Sequence, residues 1–494
     1  MAKIFVSFYN FAYHDKDPRI MPPFYETFVN GLKNAGNDVL CFFKKEASFF
    51  DEKIPSDVLE KVKKFDPDLF IFFNNTFWDI TDYFDRPIVV YDVDTVNFFR
   101  NKDKIRSKPD RYRYLTFQKE SPALICDACK TDLKNIRRVP LFTGVKADPA
   151  KQPENNIAFV GWNWLWVGCD FVTDFVRKDI SGEELAMARD VFKTFADYPF
   201  KTGEQIYNEK GYAAENKLPI DNLERCTSLI SGVFRARYLT AVADLGLDLR
   251  GMSWADNSMK YFPELCLCYN KEQVFSLSEN EAFYNNSKIG FNTNHIQAQS
   301  GFSWRVCDIM ASNACLVSEY KPGLTSTFPD IPLPTFTSPA EAREQCQRIL
   351  KEENLRRDIV AASHEEIEKK HRIKNLLDEM EDFLNMKLNA NSSGSLELWL
   401  YQNKGVSVNQ KLSFKNKIRY KIWKHLNNKL KKRGSYKKCQ KYYFVFRTPL
   451  LRTILTTSRV FTISLLPLWR KTGTTFWCMF RTCFIQEHSP AKIR

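Results

Sequence analysis

The stretch NNSKIGFNTNHIQAQSGFSWRVCDIMASNACLVSEY, residues Asn285–Tyr320, has the pattern of one repeating unit of a parallel sheet. Short continuous apolar runs at Ile289–Asn292 and Ala314–Ser318 are predicted as strands, because such runs are typical of strands covered on both faces. Between them, Ser303–Ser312 is predicted as a helix ending at Asn313, a residue type that tolerates the left-handed conformation of a helix end. A strand, a helix and a strand in this order predict a parallel α/β sheet.

The same alternation extends in both directions from this stretch. Lys3–Tyr9, Pro22–Ala35 and Asp38–Phe43 are predicted as a strand, a helix and a strand, and Asn156–Gly161 begins a second series. Ala123–Cys126 is predicted as a further strand. We therefore predict an α/β protein with two tandem doubly wound, Rossmann-like domains. The carboxyl ends of their strands are expected to face one cleft, where small ligands of such sheets bind.

Charge divides the chain into two parts. Residues 391–494 hold 22 of the 73 Lys and Arg residues but only 2 of the 59 Asp and Glu residues. This segment therefore carries +20, and residues 1–390 carry −6. The small polar residues NANSSGS before it are typical of a linker. The predicted parts are an N-terminal domain at 1–150, a second domain at 151–388, a linker at 389–395, and a basic, mainly helical extension at 396–494.

Composition excludes several classes of protein. The 44% hydrophobic residues, with 41 Phe against 18 Gly, exclude a disordered or collagen-like chain. The 13 Cys are odd in number and scattered, which argues against a secreted disulfide framework and favours a reducing compartment. The N-terminal sequence MAKIFVSFYN lacks the features of a secretory signal peptide, so a cytoplasmic protein is expected.

Residues 285–320 closely resemble the C-terminal half of glycosyltransferases with the GT-B fold, above all the group that includes the spore-maturation CgeB-like transferases. The pattern is a strand ending in Asn, a glycine loop, an Arg, an acidic residue, a small-residue helix end and a strand: Phe291-Asn292, Gly301, Arg305, Asp308, Ser312-Asn313 and Leu316-Val317. The resemblance covers about residues 1–388. It implies the two-domain GT-B fold and transfer of a sugar from a nucleotide-sugar, which is a substrate, so that no cofactor is expected.

The donor implied by this resemblance carries a diphosphate whose negative charge grows as the glycosidic bond breaks. Backbone N–H groups at a helix N-terminus and a nearby cation stabilise such a departing group. The loop Gly301–Ser303 is predicted to supply the amides, and Arg305 the cation. The resemblance implies that Asp308 accepts the ribose hydroxyls. Three further residues are predicted to approach the phosphate or the sugar: Gly161, Asn294 and His295.

An inverting transfer needs a base that deprotonates the acceptor hydroxyl, and two loops of the first domain offer one. His14, after the first strand, belongs to the residue type that titrates near neutral pH. Asp92 and Asp94 follow the strand Pro87–Tyr91. Retention and inversion both stay open, since the two-glutamate signature of the best-known retaining transferases is missing. No metal is expected, because a helix terminus and an Arg can take the part of a divalent ion.

The basic extension contains a predicted amphipathic helix within Lys411–Lys432. Its apolar residues are Ile418, Ile422, Trp423, Leu426 and Leu430. The longest uncharged stretch that follows, Val460–Trp469, has 10 residues, well below the ~20 needed to span a bilayer. We therefore predict that the extension lies on the anionic inner face of the cytoplasmic membrane. Packing against the body or a partner is an alternative, and nucleic-acid binding is disfavoured because no nucleic-acid module accompanies the charge.

The predicted function is transfer of a sugar from a nucleotide-sugar to a glycan, lipid-linked or protein acceptor at the cytoplasmic membrane face, as in polysaccharide biosynthesis. The competing hypothesis is a catalytically inactive protein of the same fold that uses its basic tail to bind a membrane or a partner. Binding of nucleotide-sugars distinguishes the two, because only the first hypothesis requires a working donor site.

Overall fold

Residues 1–402 form one compact unit in the computed structural model of the protein. Within it the structure describes residues 2–8, 20–44, 53–163, 220–295 and 298–401, apart from short gaps inside these ranges. Several predicted functional residues lie outside the described residues: His14, Ile418, Ile422, Trp423, Leu426 and Leu430. Across the described ranges, no helix is long and apolar enough to cross a membrane.

Seven strands form the first sheet, and all of them run parallel. They are β1 (Lys3–Ser7), β2 (Asp38–Lys44), β3 (Leu69–Phe73), β4 (Ile88–Asp92), β5 (Tyr112–Thr116), β6 (Ile136–Arg138) and β12 (Leu396–Tyr401). Their order in space is β12-β2-β1-β3-β4-β5-β6. Successive side chains of β1 point into two different apolar clusters, Ile4 and Val6 into one and Phe5 into the other. The sheet is therefore covered on both faces, as its continuous apolar strands predict.

Four helices connect the strands of the first domain: α1 (Pro23–Asn34), α2 (Ser56–Phe65), α3 (Lys102–Ser107) and α4 (Ser121–Cys129). The prediction of a strand at Ala123–Cys126 is wrong, since these residues lie within α4. Pro122 occupies the first turn of α4, and Ile125 and Cys129, one helical turn apart, are its buried face. Leu124, which directly precedes Ile125, lies on the outer face of the helix and is 43% exposed.

Five parallel strands form the second sheet: β7 (Asn155–Val160), β8 (Leu247–Arg250), β9 (Ser287–Asn292), β10 (Cys315–Glu319) and β11 (Thr335–Phe336). Their order is β11-β10-β9-β7-β8. The helices of this domain are α5 (Ile220–Val242), α6 (Leu265–Cys268), α7 (Leu277–Asn285), α8 (Arg305–Met310), α9 (Pro322–Thr327), α10 (Pro339–Lys351) and α11 (Glu353–Lys370). Two parallel sheets with flanking helices confirm the predicted fold class of two Rossmann-like domains.

The chain returns to the first domain before the predicted boundary at residue 388. The last helix, α12 (Ile373–Leu384), places Leu376, Leu377 and Met380 in the core of the first domain. Strand β12 then pairs with β2 over six residues. The predicted start of the tail at residue 396 is thus corrected, because residues 396–401 are an edge strand of the first sheet.

The segment predicted as a linker, 389–395, is hydrogen-bonded to the first domain at several of its described residues. Ala390 N donates to the carbonyl oxygen of Ala35 at 2.6 Å, and Gly394 N donates to that of Lys33, in the last turn of α1, at 2.9 Å. Ser395 N donates to Asp38 Oδ1 at 3.0 Å. A side chain at Gly394 would meet the carbonyl oxygen of Asn37 at 1.9 Å, so only glycine allows this close approach. The segment therefore packs against the first domain and has a defined conformation.

The two segments that cross between the domains are hydrogen-bonded to each other. Thr143 N donates to the carbonyl oxygen of His371 at 3.0 Å, and His371 Nδ1 lies 2.8 Å from the carbonyl oxygen of Leu141. Arg372 Nη1 donates to the carbonyl oxygens of Thr143 and Val145, at 3.2 and 2.6 Å. The outgoing segment and the returning segment are thus hydrogen-bonded to each other where they pass between the two domains.

An aromatic contact also joins the two domains. Trp304, which directly precedes α8 in the second domain, stacks on Phe24 of α1 with 4.7 Å between ring centroids and 19° between ring planes. Phe24 packs in turn against Phe142 of the outgoing crossing, at 4.6 Å. The start of α8 is therefore packed against the first domain.

Asn37 is expected to be a main stabilising contact of the returning chain. Its Oδ1 accepts from Ala2 N at 3.2 Å, and its Nδ2 donates to the carbonyl oxygens of Leu32 and Leu388 at 3.0 and 2.7 Å. Asn37→Ala leaves these buried groups unpaired and should lower the free energy of unfolding by about 1–3 kcal/mol. Denaturant unfolding measures this change.

The matched control is Asn34→Ala, because Asn34 is an exposed asparagine at the end of α1, three residues before Asn37. This variant should change the free energy of unfolding by less than about 0.5 kcal/mol. Equal stability of the two variants would contradict the role assigned to Asn37.

Candidate functional site

The candidate site lies at the carboxyl ends of three neighbouring strands in the second sheet. Strands β10, β9 and β7 are adjacent and parallel, so the residues that follow them meet at one edge. Gly161 follows β7, Thr293 to His295 follow β9, and Glu319 ends β10. Three of the predicted donor residues are thus brought together here: Gly161, Asn294 and His295.

Arg305, the first residue of α8, reaches back to this edge. Its Nη1 donates to Asn292 Oδ1 at 3.0 Å, and its guanidinium carbon lies 5.3 Å from the centroid of the Phe159 ring. A side chain at Gly161 would approach Arg305 Nη2 to 2.9 Å. Gly161 therefore makes room for a guanidinium at the end of β7.

Arg235, on α5, is a second guanidinium at the same place, and it is not among the residues predicted from the sequence. It is 4% exposed, donates from Nε to Thr293 Oγ1 at 2.9 Å, and donates from Nη1 to the carbonyl oxygen of Trp162. Its guanidinium carbon lies 5.7 Å from the centroid of Phe159. Burial, and next the charge of Arg305, lower the pKa of Arg235 to about 9. Arg235 stays charged at neutral pH, beside a like charge.

A lysine, a carboxylate and a histidine complete the group. Lys321 is buried, and burial lowers its pKa although Glu319 opposes the shift. Glu319 accepts a hydrogen bond from Asn294 N at 2.7 Å, and burial raises its pKa. Burial, followed by the charges of Arg235 and Lys321, lowers the pKa of the half-buried His295 to about 3. The imidazole is therefore neutral among three cations and one carboxylate.

The loop Gly301–Ser303 differs from its prediction in one respect. Ser303 N already donates to Asn294 Oδ1 at 3.2 Å, and Ser303 Oγ accepts from Arg305 N at the same distance. Because these bonds bind the start of α8 to the end of β9, the Ser303 amide is not free for a phosphate. Gly301 packs instead against Gln118 of the first domain, where a side chain would meet Cγ at 2.9 Å.

The carboxylate of Asp308 is hydrogen-bonded to two neighbouring side chains, and the ribose contact implied by the resemblance stays a prediction. Its Oδ1 accepts from Thr143 Oγ1 at 2.6 Å, and its Oδ2 accepts from Asn280 Nδ2 at 2.9 Å. Asp308 follows Arg305 by three residues, which places the two side chains on neighbouring parts of one helix face, but Thr143 and Asn280 occupy the Asp308 carboxylate. Burial raises the pKa of Asp308 to about 6. Asp308 holds the outgoing crossing segment.

The two described candidates for a base have different surroundings. Asp92 is 1% exposed at the end of β4, and Oδ2 accepts from Thr116 Oγ1 at 3.2 Å. Burial raises its pKa to about 7. The carboxyl group of Asp92 is thus closed off from solvent in this structure, and its role as the base stays a prediction.

Asp94 is half-buried and lies where the two domains meet. Its Oδ2 accepts from Asn74 Nδ2 at 2.5 Å, and its carbonyl oxygen accepts from Gln118 Nε2 at 3.3 Å. Gln118 also packs against Gly301, so one side chain connects Asp94 with the loop that leads to Arg305. Asp94 thus fits the predicted position at the edge of the cleft.

A cavity of about 800 Å³ lies between the loops of the two domains. Gln118 and Glu120 line it from the end of β5, and Ser300 to Phe302 line it from the second domain. Arg138 and Lys370 add positive charge to its wall. The volume lies within the range of cavities that bind small molecules.

The buried Asp92 predicts a pH dependence of stability. Its carboxyl group titrates near pH 4 in the unfolded chain and at about pH 7 when folded, so the folded protein binds more protons between these values. The stability that Asp92 contributes is complete below pH 4 and is lost as pH rises through 7. Relative to Asp92→Asn, wild type should lose up to about 4 kcal/mol across this window.

Denaturant unfolding at several pH values from 4.5 to 7.5 measures this difference. Asn keeps an oxygen for the Thr116 hydroxyl but removes the titration. The exposed Asp110 supplies the control, and Asp110→Asn should follow the wild-type curve. Parallel curves for wild type and Asp92→Asn would show that Asp92 ionises normally in the folded protein.

Comparison with solved structures gives several weak likenesses. Sucrose-phosphate synthase from Thermosynechococcus elongatus is 9% identical, over 78% of this chain and 98% of that chain, with a TM-score of 0.47. HepE from Anabaena in complex with UDP-glucose is 9% identical, over 78% of this chain and 100% of that chain, with a TM-score of 0.45. At these identities and scores, neither likeness decides the fold or the function of this chain.

Sequence comparison is more specific for the second domain. No curated protein matches the chain. Residues 235–382 match the family described as glycosyl transferase-like, a range that begins at Arg235 and includes Arg305. The match does not distinguish a CgeB-like subgroup. The second domain of the chain is therefore glycosyl transferase-like in sequence, which confirms the resemblance carried by residues 285–320.

Proposed function

We propose that the protein is a glycosyltransferase that binds the diphosphate of a nucleotide-sugar between Arg235 and Arg305. The observation that carries this proposal is that both guanidiniums lie within 6 Å of one Phe159 ring and bond only to uncharged groups. Among the described residues, neither arginine has an ion pair with a carboxylate. The match of residues 235–382 to a glycosyl transferase-like family supports the same conclusion.

The electrostatics favour a ligand with more than one negative charge. The buried Arg235 and the half-buried Arg305 repel each other, and this repulsion adds to the effect of burial in lowering the pKa of Arg235. A diphosphate relieves it, because each guanidinium can form two parallel hydrogen bonds to phosphate oxygens. The neutral His295 can donate to, or accept from, the phosphate or the sugar without adding charge.

The transfer itself follows from this arrangement. The acceptor oxygen attacks the anomeric carbon, the bond from that carbon to the phosphate oxygen breaks, and the diphosphate keeps the electron pair. The charge that develops on the diphosphate lies beside guanidiniums that are already in place, which lowers the barrier. We propose that no divalent metal is needed, since these cations already face the leaving group.

Asp94 is the base that we propose for an inverting transfer. It lies at the domain junction next to the loop of Gly301, whereas Asp92 is closed off from solvent. The acceptor is proposed to enter the 800 Å³ cavity between the domains, which Gln118 lines beside Asp94. A glycan, lipid-linked or protein acceptor fits this proposal.

The charge of the C-terminal segment supports a membrane location for the reaction. Residues 391–494 carry +20, and the predicted amphipathic helix lies within them, outside the described residues. We propose that this segment binds the anionic cytoplasmic face of a membrane, where a lipid-linked acceptor is available. The competing proposal of an inactive binding protein keeps the tail but predicts no donor binding.

Replacing either arginine should weaken the donor site. Arg305→Ala should reduce affinity for a nucleoside diphosphate about tenfold, because a charge-assisted hydrogen bond contributes about 1.5–3 kcal/mol. It should reduce turnover by about 100-fold or more, because charge develops only as the bond breaks. Arg235→Gln should act in the same direction. Calorimetry with UDP, GDP and dTDP, and release of nucleoside diphosphate from the corresponding nucleotide-sugars, measure both effects.

The control for charge is Arg357→Gln, because Arg357 is an exposed residue of the same domain that pairs with Glu353. It should bind and turn over like wild type. Wild-type protein that binds no nucleotide and no nucleotide-sugar would reject the transferase and favour the inactive binding protein.

Asp94→Asn should separate transfer from donor binding. Asn keeps the size of the side chain and a partner for Asn74 but cannot accept a proton at neutral pH. Transfer should fall by about 10²–10⁴ while affinity for the nucleoside diphosphate stays within about twofold. The exposed Asp110 again provides the control, and Asp110→Asn should transfer normally. Full activity of Asp94→Asn would favour a retaining route or another base.

A further inference from the structure

The end of β9 holds both arginines through uncharged atoms. Asn292 Oδ1 accepts from Arg305 Nη1 at 3.0 Å, and Thr293 Oγ1 accepts from Arg235 Nε at 2.9 Å. The carbonyl oxygen of Trp162 is a third acceptor, for Arg235 Nη1. We call these three groups the neutral cradle: the side chains of Asn292 and Thr293 and the carbonyl group of Trp162.

The neutral cradle contrasts with the other buried arginine among the described residues. Arg356, which is 7% exposed, donates to both carboxylate oxygens of Glu353 at 2.9 and 2.8 Å. That carboxylate raises the pKa of Arg356, whereas the pKa of Arg235 is lowered. A buried arginine is ordinarily paired in this way, because an uncompensated buried charge destabilises the fold. At the site around Arg235 and Arg305, Glu319 offsets part of the positive charge, but among the described residues no carboxylate forms an ion pair with either arginine.

The cradle is fixed before any ligand arrives. Asn292 is fully buried, and its Nδ2 donates to the buried Ser318 Oγ at 2.9 Å. Because an arginine can only donate, the oxygen of the Asn292 amide must face Arg305 and the nitrogen must face Ser318. Thr293 is also buried. The two guanidiniums are therefore oriented by the sheet itself.

We infer that Asn292 and Thr293 are positioning residues that orient the two guanidiniums while leaving their positive charge available to a ligand's phosphates. This inference rests on the proposed function, since the ligand is the diphosphate of the donor. An amide and a hydroxyl provide the same direction of hydrogen bonding as a carboxylate, but they do not neutralise the cation. A carboxylate at either position would occupy the arginine that the diphosphate needs.

The test compares two replacements of Asn292 in the full-length protein. Asn292→Asp keeps the shape but places a carboxylate beside Arg305, so affinity for inorganic pyrophosphate and for UDP should fall by about tenfold or more. Asn292→Ala removes the orienting bond without adding charge and should reduce both affinities less. The thermal midpoint of Asn292→Asp should equal or exceed that of Asn292→Ala. If Asn292 had only a structural role, the two variants would instead bind pyrophosphate and UDP with equal affinity.

Two further variants make the result unambiguous. Asn156→Asp adds the same charge at the opposite, amino end of β7, and it should bind pyrophosphate and UDP like wild type. Thr293→Asp places a carboxylate beside Arg235, and it should lose affinity as Asn292→Asp does, which also covers a failure of Asn292→Asp to fold.

Wild-type affinity in both cradle Asp variants overturns the inference alone. A wild-type protein that binds neither pyrophosphate nor any nucleoside diphosphate overturns the proposed donor site, and the inference with it.

Discussion

The chain passes between its two sheets twice, and the hydrogen bonds between these two crossings determine how the domains meet. Thr143 and His371 bond to each other, and Arg372 adds a fork of two bonds to the outgoing backbone. Asp308 binds the same Thr143 from α8. With the crossings held in this way, the loops after β5 and β9 come into contact at Gln118 and Gly301. The candidate site depends on that contact, since its proposed base and its proposed donor lie on opposite sides of it.

The chemistry of the site comes from an electrostatic imbalance that the fold sustains. The buried Arg235 and Lys321 and the half-buried Arg305 outnumber the carboxylate of Glu319 near them, and the histidine beside them is neutral. Such an imbalance lowers the stability of the unliganded domain, because charges are removed from water without full compensation. The diphosphate of the proposed donor would supply the missing negative charge. The same cluster of positive charges therefore lowers the stability of the unliganded domain and favours the binding of an anion.

The parts that could be predicted from sequence are those governed by local pattern. Buried parallel strands are continuous apolar runs, so both sheets and the βαβ unit around Arg305 were predictable. The prediction of a strand at Ala123–Cys126 failed because short apolar runs occur both in strands and in buried helices, and Pro122 lies in the first turn of a helix there. The strand β12 was missed because the small polar residues of NANSSGS before it are typical of a linker, whereas the pattern LELWLY alternates as in a strand.

The site was less predictable because it combines residues from distant parts of the chain. Arg235 precedes Arg305 by 70 positions, and its only local signal is a charged residue on a helix position flanked by apolar neighbours. Asp308 has the right spacing from Arg305 for a shared helix face, but Thr143 and Asn280 occupy its carboxylate. The spacing of residues along a helix predicts on which face a side chain lies, but the residue that it contacts depends on how the helix packs.

The stacking of Trp304 on Phe24 places an indole ring, the strongest ultraviolet chromophore among side chains, directly beside Arg305 in sequence and against the opposite domain in space. A rotation of α8 toward a ligand has to slide or separate these two rings, whose attraction is about 0.5–1.5 kcal/mol beyond the area that they bury. The position of α8 is therefore coupled to the first domain through one ring contact. Because the emission of an indole depends on the polarity around it, separation of the two rings would also alter the fluorescence of Trp304.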